Sequence, residues 1–190
     1  MSTVVYMVRH GDSPKDGNER SRGLTQRGYL DAERISGLLI EEKIDVVVSS
    51  PYLRSVLTVQ QLAGQIGQEV RVFEDLKERV FSFGESRVSD EELLPLLEKS
   101  FSDPDLSLDG AESNAECQRR AVRVLNEILD TYRGRKVVIG THGAVMTLMM
   151  SYFDSRFDLD FLHSTSKPDI YKMEFDEKKL VNVRRLWGGN

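Results

Sequence analysis

The chain has 190 residues, of which 39% are hydrophobic and 30% charged, and its formal net charge is −5. A chain of this length needs no disulfide or metal to fold, and we predict a single domain over residues 1–190. The acidic balance, without a long run of Lys or Arg, argues against binding to nucleic acid or to an anionic membrane surface. Any anion site must therefore depend on a local cluster of positive side chains.

Cysteine usage and hydropathy indicate the compartment. The single cysteine, Cys117, lies in a helical pattern and cannot form an internal disulfide or a cysteine-rich zinc site. No apolar stretch approaches the roughly 18 residues of a membrane span, and the first residues lack the basic segment and apolar core of a secretory signal. These features predict a cytoplasmic protein in a reducing compartment.

An apolar run at residues 4–8 ends abruptly at Arg9, His10 and Gly11. Five consecutive apolar residues are typical of a strand buried on both faces, as in a parallel sheet covered by helices. Because Gly11 lacks a Cβ, the backbone can turn there and a ligand can approach the imidazole of His10. The Arg-His pair suggests an anion held against a nucleophile or base, although two ordinary polar residues at a strand end would look the same.

A polar loop at residues 13–23 follows the first strand. Its Lys15, Arg20 and Arg22 either lie over the site or are simply solvated, and the sequence favours solvation. Thr25 is predicted to cap a helix whose apolar residues recur at helical spacing.

The second predicted strand, residues 44–48, leads through Ser-Ser-Pro to Arg54, where a second helix begins. Arg54 and Thr58 are four residues apart and share one face of the first helical turns. The free N–H groups and the helix dipole favour an anion there. An arginine that caps its own loop is an equally good interpretation.

A short strand is predicted at residues 70–73, and Glu78 follows it. We favour Glu78 as the carboxylate that transfers a proton, with Glu85 and Glu112 as rivals and a surface Glu-Arg pair as the alternative. Residues 82–108 contain one helix, which a Ser-x-x-Glu capping box begins. This segment is the natural candidate for covering the site.

A second strand-to-histidine junction lies far downstream. The strand at residues 137–139 leads to His142 and Gly143 and then to an apolar helix. In open α/β sheets the ligand crevice lies beyond the carboxyl ends of the strands. We therefore expect His10, Arg54 and His142 to face one cavity.

The end of the chain predicts a hairpin of residues 170–175 and 180–187. Its outer strand offers an edge for pairing between two copies, as in a homodimer. His163 follows no strand and has no glycine partner, so we assign it a structural or loop role.

Five short motifs occur in a fixed order: Arg9-His10-Gly11, Leu24-Thr25-x-x-Gly28, Ser49-Ser50-Pro51-x-x-Arg54-x-x-x-Thr58, Leu76-x-Glu78 and Thr141-His142-Gly143. Together they resemble the histidine phosphatase superfamily, which has the phosphoglycerate mutase-like fold. The matching landmarks run from residue 4 to about residue 145. The resemblance implies a three-layer α/β/α sandwich with a mostly parallel central sheet, which agrees with the alternation of predicted strands and helices.

The resemblance also implies roles for the site residues. His10 would be the nucleophile that becomes phosphohistidine, and Glu78 would protonate the leaving oxygen. Arg9, Arg54 and His142 would hold the phosphoryl oxygens. Two guanidiniums and an imidazolium cancel the charge of the transferred group without a metal or other cofactor.

Two requirements follow from this chemistry. The ring nitrogen of His10 that does not attack should donate to a backbone carbonyl. Because Glu78 must be protonated when the leaving group departs, we expect a mildly acidic pH optimum. Ser13, Thr25 and Gly143 lie beside these motifs and are predicted to contact the substrate together with Arg9, Arg54 and His142.

The sequence favours hydrolysis over mutase chemistry. Family mutases resemble R-H-G-E-S-x-W-N, whereas this chain has R-H-G-D-S-P-K-D-G-N, and its only tryptophan is Trp187. We predict a metal-independent phosphomonoesterase of the histidine acid type, with mutase activity as the runner-up. A catalytically inactive phosphate-binding or scaffold protein is the third interpretation. A metallohydrolase is less favoured because the two strand-end histidines lack metal-ligand spacing.

The substrate stays open. A small phosphorylated molecule and a phosphoprotein would present the same dianion to Arg9 and Arg54. Selection between them is predicted to depend on residues 13–23 and 82–112.

Overall fold

Strands and helices alternate along the chain in the computed structural model, which describes residues 1–108 and 111–188. Asp109 and Gly110, within the predicted substrate-selecting segment, lie outside the described residues. The strands are β1 (Ser2–Arg9), β2 (Val46–Ser49), β3 (Arg71–Val72), β4 (Lys136–Thr141), β5 (Asp169–Asp176) and β6 (Lys179–Arg185). The helices are α1 (Gln26–Ile40), α2 (Leu53–Gln65), α3 (Asp90–Ser102), α4 (Asn114–Thr131), α5 (Gly143–Phe153) and α6 (Leu159–Ser164).

The six strands form one sheet in the order β3-β2-β4-β1-β5-β6. The first four strands in this order are parallel, whereas β5 and β6 form an antiparallel hairpin beside β1. The sheet is therefore mostly parallel, as predicted. The carboxyl ends of β1, β2 and β4 lie side by side at one edge, because these three strands are neighbours.

Helices cover both faces of the sheet. In β1, Val5 and Met7 pack with α4 and α5, whereas Tyr6 and Val8 pack with α1 and α2. Successive side chains of a strand point to opposite faces, so a run of apolar residues needs a helical layer on each side. This arrangement confirms the predicted three-layer α/β/α sandwich.

Several element boundaries differ from the predictions. The strand predicted at residues 44–48 begins only at Val46, because Lys43, at φ 57°, still belongs to a turn. The strand predicted at residues 70–73 consists of Arg71–Val72 and is followed by a 3₁₀ turn, Glu74–Leu76.

Helix α6 was not predicted, and it includes His163. The helix is only one to two turns long, too short for a clear periodic pattern. None of the helices in the described part of the chain is both long and apolar enough to cross a membrane.

A close contact between β1 and α1 explains two of the motif glycines. A Cβ on Gly28 would lie 2.2 Å from the carbonyl oxygen of Asp12, and a Cβ on Gly11 would lie 3.1 Å from the carbonyl oxygen of Gly28. The prediction that Gly11 makes room for a ligand is therefore wrong. The space beside Gly11 is occupied by the backbone of α1.

Candidate active site

The strand ends converge as predicted, but of the three residues expected to face one cavity only His10 and Arg54 line it, whereas His142 is not among the described lining residues. The His10 N–H donates to the carbonyl of Thr141, and the Ser50 N–H donates to the carbonyl of Gly140. The rings of His10 and His142 lie 5.2 Å apart, centroid to centroid. A cavity of about 180 Å³ opens over this region and is lined by Arg9, His10 and Arg54 among others.

His10 is buried, and its two ring nitrogens have different partners. Nδ1 lies 2.7 Å from the carbonyl oxygen of Gly11, so Nδ1 carries the proton and donates it to the backbone. This is the contact predicted for a nucleophilic histidine. Burial and the positive charges of Arg54 and Arg9 lower the pKa of His10 well below its usual value. The ring is therefore neutral near pH 7, and its Nε2 carries a lone pair and no proton.

Arg54 lies beside that lone pair. Its Nε donates to Nε2 of His10 at 3.3 Å, and the side chain is only 1% exposed. Its Nη2 donates to the carboxylate of Glu19 at 2.8 Å. Its guanidinium carbon lies 4.9 Å from the centre of the Tyr52 ring. These contacts fix the guanidinium between the nucleophile and the loop at residues 13–23.

Arg9 approaches from the end of β1, and a glycine makes room for it. A Cβ on Gly143 would lie 2.8 Å from the guanidinium carbon of Arg9. Nη1 of Arg9 donates to the hydroxyl of Thr165, just after α6. Desolvation lowers the pKa of Arg9, which Glu78 and Asp169 partly oppose. Gly143 thus serves the site by allowing the guanidinium to pack against α5.

His142 lies beneath the cavity and is fully buried. Its Nε2 lies within hydrogen-bond distance, 2.7 Å, of the hydroxyl oxygen of Ser50, and the N–H of Tyr52 donates to that oxygen at 3.1 Å. Burial and the charge of Arg54 lower the pKa of His142 well below its usual value. The expected imidazolium is therefore not the form favoured in the free protein, because desolvation and a neighbouring cation both oppose the second proton.

Glu78 lies at the first turn of α5, on the wall of the cavity. Its Oε1 accepts from the N–H groups of Val145 and Arg79, both at 2.8 Å, and its Oε2 accepts from that of Ala144 at 3.1 Å. Free N–H groups and the dipole at a helix start favour a carboxylate at this place. The chain therefore holds Glu78 in a fixed position near the two arginines.

The rival carboxylates have other partners. Glu112 is bound by the guanidinium of Arg120, with Nε to Oε1 at 2.8 Å, and is not among the described residues that line the cavity. Glu85 lines the cavity but accepts from the Asn18 amide at 2.7 Å. Of the three candidates, Glu78 is the one held by backbone N–H groups beside the reaction centre.

Some predicted substrate contacts lie elsewhere. Ser13, Thr25 and Gly143 are not among the described residues that line the cavity. Ser13 donates to the carbonyl of Gly23 at 2.6 Å, and Thr25 caps α1 while it donates to the carboxylate of Asp12 at 2.7 Å. Both hydroxyls are used to hold the loop, so they are not directed at a ligand.

The sequence left open whether the first turn of α2 binds an anion or Arg54 caps its own loop, and the contacts of this turn favour the second interpretation. The Thr58 hydroxyl accepts from the Gly11 N–H at 3.0 Å and donates to the Arg54 carbonyl at 2.7 Å. The Leu53 N–H donates to the carbonyl of Arg20. With these groups occupied, the anion-binding capacity of Arg54 resides in its guanidinium.

Several cavity residues were not singled out by the sequence: Glu19, Tyr52, Arg87 and Lys167. Arg20 and Arg22, for which solvation was favoured, also line the cavity, and Arg22 donates to Glu19 at 3.0 Å. Lys15 is not among the described residues that line it. The excess of Arg and Lys in the loop was the one signal that could have indicated a cationic wall.

A mostly parallel sheet lies between helical layers, with two histidines and two arginines gathered near the carboxyl ends of its strands, and this defines an α/β protein with a positively charged cleft. The family model for the histidine phosphatase superfamily (branch 1) matches residues 5–186, and the chain belongs to this family. The recognition made from the five motifs is thereby confirmed.

Relatives include phosphatases and a mutase-like protein. Phosphoglycerate mutase-like protein 4 of Arabidopsis thaliana is 29% identical over 198 aligned positions, which cover 98% of this chain and 80% of that protein. The uncharacterized phosphatase PhoE of Bacillus subtilis (strain 168) is 25% identical over 154 positions, covering 78% and 76%. Among solved structures, a mycobacterial glucosyl-3-phosphoglycerate phosphatase has a TM-score of 0.78 at 16% identity, with 98% of both chains covered. That likeness confirms the fold.

Proposed function

We propose that the protein is a metal-independent phosphomonoesterase that forms a phosphohistidine at His10. The observation that carries the proposal is the neutral imidazole of His10, whose Nε2 lone pair lies at the cavity beside Arg54. A pure phosphate-binding protein needs the arginines but has no need of a neutral nucleophile between them.

The first chemical step transfers the phosphoryl group to the enzyme. Nε2 of His10 attacks phosphorus, a P–N bond forms, and the P–O bond to the leaving alkoxide breaks. Arg54 and Arg9 balance the charge on the equatorial oxygens, which is the main requirement of phosphoryl transfer. Glu78 gives its proton to the leaving oxygen. About four lone-pair sites exist on a carboxylate, and the backbone occupies three of those on Glu78, so one is left for the proton.

The second step returns the enzyme to its starting state. A water molecule attacks the phosphohistidine, Glu78 accepts its proton, and the P–N bond breaks to release inorganic phosphate. The phosphoryl dianion also shifts the protonation equilibrium of His142, because a nearby negative charge favours the protonated ring. His142 can then contribute the positive charge that the free protein does not favour.

The names of two relatives support the choice of chemistry. Phosphatase PhoE supports hydrolysis, whereas the Arabidopsis protein supports a mutase as the second candidate. The two candidates differ in the second acceptor, which is water for a phosphatase and a retained intermediate for a mutase.

Hydrolysis of p-nitrophenyl phosphate in EDTA tests the proposal, with wild type, His10→Ala and His163→Ala compared. His163 is an exposed histidine in α6, so its variant is the matched control. We expect release of phosphate by wild type and control, and a rate several orders of magnitude lower for His10→Ala. Equal rates for all three proteins would overturn the proposal. No turnover by wild type would favour a strict mutase or a binding protein.

The biological context is also proposed. We propose a cytoplasmic enzyme that acts on a small phosphorylated substrate or a phosphoprotein and does not bind nucleic acid or membranes. A homodimer would use β6, the edge strand of the sheet. Sedimentation of the purified protein and fractionation of cells test these two points.

A further inference from the structure

The cavity contains more positive charge than one phosphoryl group requires. Of the described residues that line it, seven are Arg or Lys and three are Glu. The ion pairs that neutralise part of this charge are Arg20 with Glu74, Arg87 with Asp90, and Glu19 with both Arg22 and Arg54. The cations of the cavity that lack such a carboxylate partner are therefore candidates for binding a further anionic group.

Lys167 is the clearest of them. It lines the cavity and is exposed to solvent, and its ammonium has no ion pair or hydrogen bond with any of the described residues. Solvent reaches the side chain, but its position against the cavity wall removes part of its hydration, and this loss together with the charges of Arg9 and Arg87 lowers its pKa to about 8. A lysine that faces other cations gains more from an incoming anion than an isolated lysine on a surface.

The backbone brings Lys167 to the reaction centre from the side of β5. Asp169, at the start of β5, is opposite Arg9 in the antiparallel register with β1, and Lys167 precedes it by two residues. The carboxylate of Asp169 acts on Arg9 through its charge but forms no ion pair with Arg9 or Lys167, because it is bound by Arg185 at 2.8 Å and by the hydroxyl of Tyr171 at 3.0 Å. Arg9, like Lys167, has no ion pair within the described chain.

Arg87 extends the same cationic wall from the other side. It precedes α3, lines the cavity, and is held by Asp90 and by the carbonyl of Lys15 at 3.2 Å. Its single carboxylate partner, Asp90, also forms an ion pair with Lys15, whose Nζ lies 3.4 Å from Oδ2. Lys167 and Arg87 thus come from distant parts of the chain to one wall of the cavity that contains His10.

We propose that Lys167, together with Arg87, binds a second anionic group of the substrate, so that the preferred substrates are small phosphomonoesters with another negative charge. This inference rests on the proposed function. The second group is a carboxylate or another phosphate, which present the same chemistry to an ammonium and a guanidinium. Lys167 is then a specificity-determining residue and takes no part in the bond changes at phosphorus.

Two matched substrate pairs test the inference. Glycerol 3-phosphate carries a hydroxymethyl group at the position where 3-phosphoglycerate carries a carboxylate. Fructose 6-phosphate and fructose 1,6-bisphosphate differ by a second phosphate. The ratio of kcat/KM within each pair measures the preference for the extra charge, and comparison of the two pairs shows which group the enzyme takes.

The variants are Lys167→Met, Lys167→Arg and Lys178→Met. Lys178 lies in the β5-β6 turn, where it pairs with Asp130 at 2.7 Å, so its variant removes the same charge far from the site. We expect Lys167→Met to lower the preference for the doubly anionic member of at least one pair about tenfold to a hundredfold. Lys167→Arg should retain most of that preference, and Lys178→Met should match wild type.

A binding measurement separates failure of this inference from failure of the proposed function. Calorimetry with His10→Ala compares the affinity for 3-phosphoglycerate and glycerol 3-phosphate, with and without Lys167→Met, and needs no turnover. If binding to His10→Ala prefers 3-phosphoglycerate and this preference depends on Lys167, while the wild-type protein hydrolyses none of the substrates, the anion subsite is supported and the phosphatase is rejected. Hydrolysis with equal losses for both members of each pair, or no wild-type preference, would reject the subsite and retain the phosphatase.

Discussion

The carboxylate of Glu19 lies 2.8 Å from Nη2 of Arg54, on a guanidinium that also contacts the nucleophile His10. The same carboxylate accepts from Nη2 of Arg22 at 3.0 Å. A phosphoryl group bound at His10 would use the same guanidinium. Glu19 and the substrate therefore compete for the positive charge of Arg54.

Replacement of Glu19 should strengthen phosphate binding. Glu19→Gln keeps the shape and the acceptor oxygen but removes the charge that repels a dianion. We expect the inhibition constant for inorganic phosphate to fall about threefold to tenfold. Glu85→Gln is the control, because Glu85 lines the same cavity but is bound by the Asn18 amide. An inhibition constant that rises in Glu19→Gln would instead show that Glu19 keeps Arg54 in place.

The role of Glu78 predicts a dependence on the leaving group. Nitrophenolate departs without a proton, whereas the alkoxide of an alkyl phosphate requires one. For Glu78→Gln we expect a loss of about 10²- to 10⁴-fold in kcat/KM with an alkyl phosphate and a much smaller loss with p-nitrophenyl phosphate. The wild-type rate with the alkyl phosphate should be highest at mildly acidic pH. Equal losses for both substrates, or a flat profile between pH 5 and 8, would contradict the proton-transfer role.

Ser50 holds the ring of His142, so its loss should affect stability. Ser50→Ala removes the only hydrogen-bond partner that the ring of His142 has within the described chain, and both groups are buried. We expect the free energy of unfolding to fall by about 1–3 kcal/mol in urea denaturation. Ser102→Ala, which removes an exposed hydroxyl that donates to the Glu98 carbonyl, should change it far less. A neutral result for Ser50→Ala would mean that His142 is held by packing alone.

Stability should fall as the pH drops below about 6.5, the usual pKa of an unfolded histidine. The pKa values of His10 and His142 are lowered in the folded protein, so below that pH the unfolded chain binds more protons than the folded chain. Their stabilising contribution is thus present above pH 6.5 and is lost progressively on acidification. Each histidine contributes a slope of up to about 1.4 kcal/mol per pH unit. Denaturation from pH 7 to pH 5 should show a smaller slope for His10→Ala than for His163→Ala.

Substrate preference should change at higher pH. Loss of hydration, followed by the charges of Arg9, Arg87 and Arg22, lowers the pKa of Lys167 to about 8, and Asp90 opposes this shift. The ammonium is present below that pH and is lost above it. Because kcat/KM reports the free enzyme, the preference for 3-phosphoglycerate over glycerol 3-phosphate should decline as the pH rises through 8. In Lys167→Met the ratio should be low and independent of pH in this range.

The site could be predicted from the sequence where it depends on strand ends. The apolar runs before His10 and His142 indicate buried parallel strands, and the carboxyl ends of such strands meet at one edge. The convergence of the two rings follows from that regularity. The fold class is equally regular, because alternating strands and helices leave few ways to cover both faces of a sheet.

The loop residues could not be predicted in this way. Glu19, Arg22 and Lys167 lie in irregular segments, where no period relates sequence position to direction. Arg20 and Arg22 are two residues apart and both line the cavity, yet Arg22 binds Glu19 whereas Arg20 binds Glu74. A residue's solvation in such a loop is decided by distant partners that only the folded chain brings near.

The contacts of the motif glycines bear on how catalytic activity should be inferred from such sequences. The absence of a side chain at Gly28 leaves room for the carbonyl of Asp12, two residues after His10, and its absence at Gly143 leaves room for the guanidinium of Arg9. An alanine at either place would displace the reacting groups while every one of them remained in the sequence. A search for inactive members that inspects only histidines, arginines and carboxylates would therefore overlook enzymes silenced by a single methyl group.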